Sequence, residues 1–181
     1  MATFGFGQGT GQIMQMAYVV EDIRAAMNWW IQDGKTGPWF LLESFGGAGH
    51  RYRGMDSLAN VSIAMSFNGH MNIELIQPKD EHPSVYREII GRRGYGFHHI
   101  GIAVDASHMD AERRAYEARG YSVAFSAPVG SGGEVLYMDD GRTEPGFIEL
   151  IPATPQMDEA FTRMYSAARD WRGEDPIRPF G

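Results

Sequence analysis

The chain has 181 residues, 43% of them hydrophobic and 12% aromatic, enough to bury a core in one domain or in two fused halves. Sixteen basic against twenty-three acidic residues leave a net charge of -7, with no basic cluster beyond the pair Arg92 and Arg93, so nucleic acid is excluded as a partner. The absence of cysteine excludes disulfides, zinc-thiolate sites and thiol nucleophiles and agrees with a cytoplasmic location, which is the expectation.

Residues 1–12, MATFGFGQGTGQ, carry neither the basic start nor the apolar stretch of a signal peptide. Gly5, Gly7, Gly9 and Gly11 follow no strand, so a phosphate-cradling turn lacks its strand, and the segment is expected to be a flexible leader. Nowhere do about 18 apolar residues run together, so no membrane span is expected.

A first module is read over residues 13–81. QMAYVVED (15–22) alternates as a strand. Ile23, Ala26, Met27, Trp30 and Ile31 then form the stripe of a core-facing helix. Three strand-like runs follow, PWFLLESF, NVSIAMSFN and MNIELIQP, interrupted at 45–60 by a polar, glycine-rich stretch that reads as a long loop. Residues 82–96 predict a linker helix that stops at a glycine pair.

The second module, 97–152, repeats the pattern. HIGIAVDA (99–106) matches the first strand, Ser107 and Asp110 suggest a capping box, and Gly120 marks a stop. GYSVAFSA, GEVLYMDD and GFIELIP complete a second β-α-β-β-β unit. Residues 153–181 predict one more helix and a polar, proline-containing tail packed on the outside.

Period-two parity sorts the polar residues. His99 shares a strand face with Phe97, Gly101 and Ala103, where small residues leave room, whereas His98 lies with Ile100, Ile102 and Val104 in the packed face. Gln15 is the repeat partner of His99, and Glu74 and Glu149 each sit between Ile and Leu with their carboxylates turned away from the apolar side. Gln15, Glu74, His99 and Glu149 therefore suggest one shared centre of oxygen and nitrogen donors suited to a divalent cation. The plainer reading is that these four groups only hydrogen-bond to one another.

In MQMAYVV, NIELIQP, FHHIGIAV and GFIELIP the chain resembles the vicinal oxygen chelate superfamily, which includes glyoxalase I, methylmalonyl-CoA epimerase, extradiol dioxygenases and bleomycin-resistance proteins; the resemblance covers residues 12–152. It implies an α+β fold of two βαβββ modules forming a cupped, incomplete mixed barrel with helices outside. It also implies one divalent metal ion (Zn, Ni, Co, Mn or Mg) on Gln15, Glu74, His99 and Glu149.

The activity implied is proton transfer next to a carbonyl through a metal-stabilised enolate, as in isomerisation, epimerisation or lyase chemistry, with Glu149 as base and Glu74 as the second acid/base. The alternative is a metal-free binding protein for a hydrophobic small molecule. An extradiol dioxygenase is disfavoured because Gln15 stands where a second histidine is needed.

The substrate is expected to be a small molecule, a glutathione hemithioacetal, an acyl-CoA or another, with Arg51 and Arg53, beside Trp39 and Tyr52, as candidates for holding a carboxylate or phosphate. In this superfamily the modules close a cup within one chain or across a dimer. A homodimer is expected, and Trp29, Trp39, Trp171 and Phe180 are the aromatic positions that could seal it.

Overall fold

The computed structural model describes residues 3–142 and 146–180. The first module runs β1 (Ile13–Val19), α1 (Ile23–Gln32), β2 (Trp39–Phe45), a short hairpin of β3 (Arg51–Tyr52) and β4 (Met55–Asp56), β5 (Val61–Asn68) and β6 (Met71–Pro78). α2 (Val85–Arg93) leads into the second module, β7 (Gly96–Asp105), α3 (Met109–Glu117), β8 (Ser122–Pro128), β9 (Glu134–Asp139) and β10 (Phe147–Ala153). α4 (Pro155–Arg169) and β11 (Ile177–Pro179) close the described chain.

All strands join one open sheet in the order β11-β2-β5-β6-β1-β7-β10-β9-β8-β3-β4. The two modules mirror each other about the central antiparallel pair β1/β7: β1 runs parallel to β6, and β7 parallel to β10. The sheet is cupped, because Ala17, Ile63, Ile76, Phe125, Tyr137 and Ile151, drawn from both halves, meet in one inner core. Two smaller cores lie on its outer face. In one, Ile23 and Met27 of α1 cover Leu41 and Leu75, and in the other Tyr116 of α3 covers Leu136 and Leu150.

Thus α1 and α3 lie outside, as expected. α2 and α4 instead fill the concave side, through Val85, Tyr86 and Ile89 and through Met157, Phe161 and Met164. The reason is local in both cases. Ser84 caps α2 by accepting from the Arg87 N–H, and Thr154 caps α4 by accepting from the Met157 N–H, so each helix starts at a fixed angle with its apolar stripe turned inward.

Four segments differ from their sequence reading. Residues 3–12 are not a loose leader: Phe6 is 0% exposed and packs its ring on Phe67 and Phe161, and the Gly11 N–H donates to the Ala103 carbonyl. The glycines permit close approach, since a side chain at Gly5 would meet Thr162 at 2.5 Å. The 45–60 loop contains the β3/β4 hairpin, turned at Arg53 and Gly54 with positive φ, and β3 pairs with β8 of the other module. α3 is entered through a 3-10 turn (Ala106–His108) capped by Asp105, which accepts from the Ser107 N–H and hydroxyl, while His108 at the start of α3 makes no side-chain capping bond, so Ser107 is a donor and not the cap. The final segment is not an outer tail: β11 pairs with β2, and the Phe180 N–H donates to the Leu41 carbonyl.

The aromatic positions also sort differently. Trp29 is 56% exposed, but Trp39 is fully buried, and Trp171 and Phe180 are half-buried within the chain. No helix among the described residues is long and apolar enough to cross a membrane.

Candidate metal centre

The inward positions of the four central strands carry the polar side chains. β1/β6 register sets Gln15 opposite Asn72 and Ala17 opposite Glu74, and β7/β10 register sets His99 opposite Phe147 and Gly101 opposite Glu149. Gly101 is the gap that lets them converge, since a Cβ there would lie 2.7 Å from Gln15 Oε1 and 2.8 Å from Ile151 Cδ1.

His99 Nε2 lies 3.1 Å from Glu149 Oε2, 3.3 Å from Glu74 Oε2 and 3.4 Å from Gln15 Oε1. All four side chains are buried. Gln15 is held by its amide nitrogen, which donates to Asn72 Oδ1 at 3.0 Å, while Asn72 Nδ2 donates to the Ser66 carbonyl. This chain leaves the Gln15 amide oxygen aimed at the centre.

Burial alone would lower the pKa of His99. The charge and hydrogen bond of Glu149, with those of Glu74, outweigh it and raise the imidazole from 6.5 to about 9. Glu74 moves upward because it is desolvated, with His99 opposing and Glu149 reinforcing the shift.

Protonated His99 has one Nε2–H to share among three oxygens, and Glu74 Oε2 is left without a hydrogen-bond partner while fully buried. A divalent cation fits that deficit. Ligand atoms of Glu74, His99 and Glu149 lie within 4.8 Å of one another, they are the one such His/Asp/Glu group among the described residues, and the donors are the hard oxygen and imidazole types that divalent ions accept.

His98 belongs to the same assembly, which its parity hid. Along β1 and β7 the register steps from Ala17 opposite His99 to Tyr18 opposite Phe97, so His98 is the extra residue of a β-bulge. The bulge puts both histidines on the inner side and returns Phe97 to the outer face against Tyr18. His98 stacks on Tyr86, and its Nδ1 lies 2.8 Å from His99 Nδ1, with Nε2 3.4 Å from the Val85 carbonyl.

Burial first, and then the charge of His99, hold the His98 pKa well below 6.5, so it is neutral. A neutral imidazole has one donor and one acceptor. Nε2–H faces the Val85 carbonyl, Nδ1 accepts from His99 Nδ1–H, and His99 Nε2 is thereby directed into the cup. Tyr137 completes the wall, its ring 4.7 Å from that of His99.

Arg51 and Arg53 are not brought to this site. Arg53 is engaged by Asp139 at 2.6 Å and Glu88 at 2.7 Å, and Glu88 also accepts from the Tyr52 hydroxyl; Arg51 is exposed and paired with Asp56. A cavity of about 450 Å³ opens beside the centre instead, reached by Gln15, Glu74, Tyr137 and Glu149 and otherwise walled mainly by apolar side chains.

The chain belongs to the glyoxalase/bleomycin resistance protein/dioxygenase superfamily, whose model matches residues 14–137. Its fold is similar to that of a hypothetical protein from Bacillus halodurans C-125, at 21% identity over 79% of this chain and 94% of that one, with a TM-score of 0.58. It is also similar to methylmalonyl-CoA epimerase from Mycobacterium tuberculosis, at 17% identity over 88% and 96%, with a TM-score of 0.58. A methylmalonyl-CoA epimerase in complex with methylmalonyl-CoA and NH4+ aligns at 14% identity over 81% and 97%, with a TM-score of 0.55. Comparison with curated protein sequences finds no significant match.

Proposed function

We propose that the protein is a divalent-metal enzyme that moves a proton on the carbon next to a carbonyl, in an isomerase, epimerase or lyase reaction of the glyoxalase type. The observation that supports this most is the convergence of Gln15, Glu74 and Glu149 on His99 Nε2, with Glu74 Oε2 unpartnered, at the polar end of a largely apolar cavity. Gln15, Glu74, His99 and Glu149 would hold a divalent ion, whose charge would polarise the substrate carbonyl and acidify its α-carbon.

The residues of the chain do the rest. Glu149, which borders the cavity, accepts the α-proton as general base. Glu74, from the other strand pair, is the second acid/base and returns a proton. The apolar walls exclude water, which strengthens the interactions at the carbonyl. Asn72 and His98 hold Gln15 and His99 in place and touch no substrate atom.

The test is solvent deuterium incorporation at the α-carbon of carbonyl compounds by manganese-loaded protein. Glu149→Gln is expected to lower the exchange rate about 10²- to 10⁴-fold. Full exchange by this variant with its metal retained sinks the base assignment.

A second reading, a metal-free binding protein for a hydrophobic molecule, is favoured by the apolar walls of the cavity. It predicts ligand binding with neither metal retention nor exchange. A dioxygenase lacks its second histidine: His98 is turned to His99 and Val85, and neither His50 nor His70 joins the group.

A further inference from the structure

The cavity has two chemically distinct ends. Its polar end is Gln15, Glu74, Glu149 and Tyr137; toward α4 and the β8–β9 turn it is walled by Leu42, Ile63, Met65, Val129, Phe161 and Phe180. Gln156 and Gly130 are exposed and mark the mouth, where Ser131 adds a hydroxyl.

No arginine or lysine lines the cavity among the described residues, and its only ionisable carboxyls are the two glutamates of the centre. The two arginines that could have served an anion are paired with Glu88, Asp139 and Asp56. The chain as a whole is acidic, at -7.

We propose that the cup selects an uncharged compound with an apolar body and a carbonyl at one end, and discriminates against one whose body away from the carbonyl carries an anion, as 4-acetylbenzoate and acyl-CoA thioesters do. An anion placed against these apolar walls, away from the centre, loses its water and gains no cationic side chain in return, so its binding is weakened. An aliphatic or aromatic body meets the opposite situation, since each wall residue offers it apolar contact. The volume of about 450 Å³ lies in the range that encloses a small organic molecule whole.

α4 and the tail set this limit. Ala160 and Phe161 of α4 and Phe180 after β11 line the cavity and reduce the room beside the centre. The identity of the reacting end rests on the proton-transfer reading above. The preference for a neutral body rests on the walls alone.

The experiment is calorimetric titration of metal-free and manganese-loaded protein with acetophenone, with 4-acetylbenzoate, which adds a carboxylate at the far end, and with acetyl-CoA. Acetophenone is expected to bind at least about tenfold tighter than either anion in both forms. Ala160→Trp, which fills the cavity, is expected to remove that binding. Val129→Arg, which sets a cation at a half-buried wall position, is expected to reverse the preference between acetophenone and 4-acetylbenzoate; it reads out the same claim should the tryptophan variant not fold.

Equal or tighter binding of 4-acetylbenzoate or acetyl-CoA overturns the proposal, as does absence of acetophenone binding in both forms. Failure to retain manganese with the acetophenone preference intact overturns the metal enzyme and leaves the selectivity standing.

Discussion

A short chain of hydrogen bonds, from His99 Nδ1 to His98 Nδ1 and from His98 Nε2 to the Val85 carbonyl, decides which imidazole nitrogen faces the cup. His98→Phe keeps the stacking on Tyr86 but leaves the His99 Nδ1–H without an acceptor. The expected result is metal affinity about 10- to 100-fold weaker, read by competition with a chromophoric chelator, with the fold retained. The charge balance of the centre gives a second prediction. In metal-free protein the folded His99 pKa, raised from 6.5 to about 9, means that its stabilisation is complete below pH 6.5 and is lost as pH rises through 9. The raised carboxyl of Glu74 acts in the same sense, because the unfolded chain releases that proton at lower pH than the folded one. Melting temperature in chelator is therefore expected to fall over this interval, and His99→Gln to flatten the profile; an unchanged slope in that variant contradicts the account. Gln15, Glu74, His99 and Glu149 were legible because strand parity places them on the inner face. His98 was not, since a bulge breaks that parity and leaves no mark in the sequence beyond the paired histidines.

At the scale of elements, the strands and α1 follow from periodicity, and the departures fall where local pattern and tertiary contact disagree. FGFG reads as flexible because every second residue is glycine, yet the same spacing sends Phe4 and Phe6 into the core while Gly5 lies against Thr162. Phe6→Ala is expected to cost about 3–5 kcal/mol in chemical denaturation, as for a fully buried aromatic, whereas a loose leader would tolerate it. The β3/β4 hairpin is too short to announce itself by alternation, and its turn needs positive φ at Arg53, a residue with no preference for it. Arg53 then becomes a brace between α2 and β9 through Glu88 and Asp139 and does not line the cavity.

For the whole molecule, the internal repeat carried the reading. Two IELI strands and two matching entry strands imply a duplicated module, and the sheet order, symmetric about β1/β7, is that duplication in space. What the repeat could not show was what has no counterpart in it: α2 and α4 pack into the cup, and Ala160 and Phe161 of α4 with Phe180 of the tail add to the apolar walls that β2 and β5 give the cavity. The expected homodimer keeps Trp29 as its exposed aromatic candidate, since Trp39 is buried and Phe180 turns to the cavity. The central claim is that Gln15, Glu74, His99 and Glu149 form one metal centre, and elemental analysis tests it most directly. Protein exposed separately to manganese, cobalt, nickel and zinc and then dialysed is expected to retain about one ion per chain with at least one of them, and Glu149→Ala to lose it. No retained ion from any of the four, in folded protein, would contradict the account and leave a ligand-binding cup in its place.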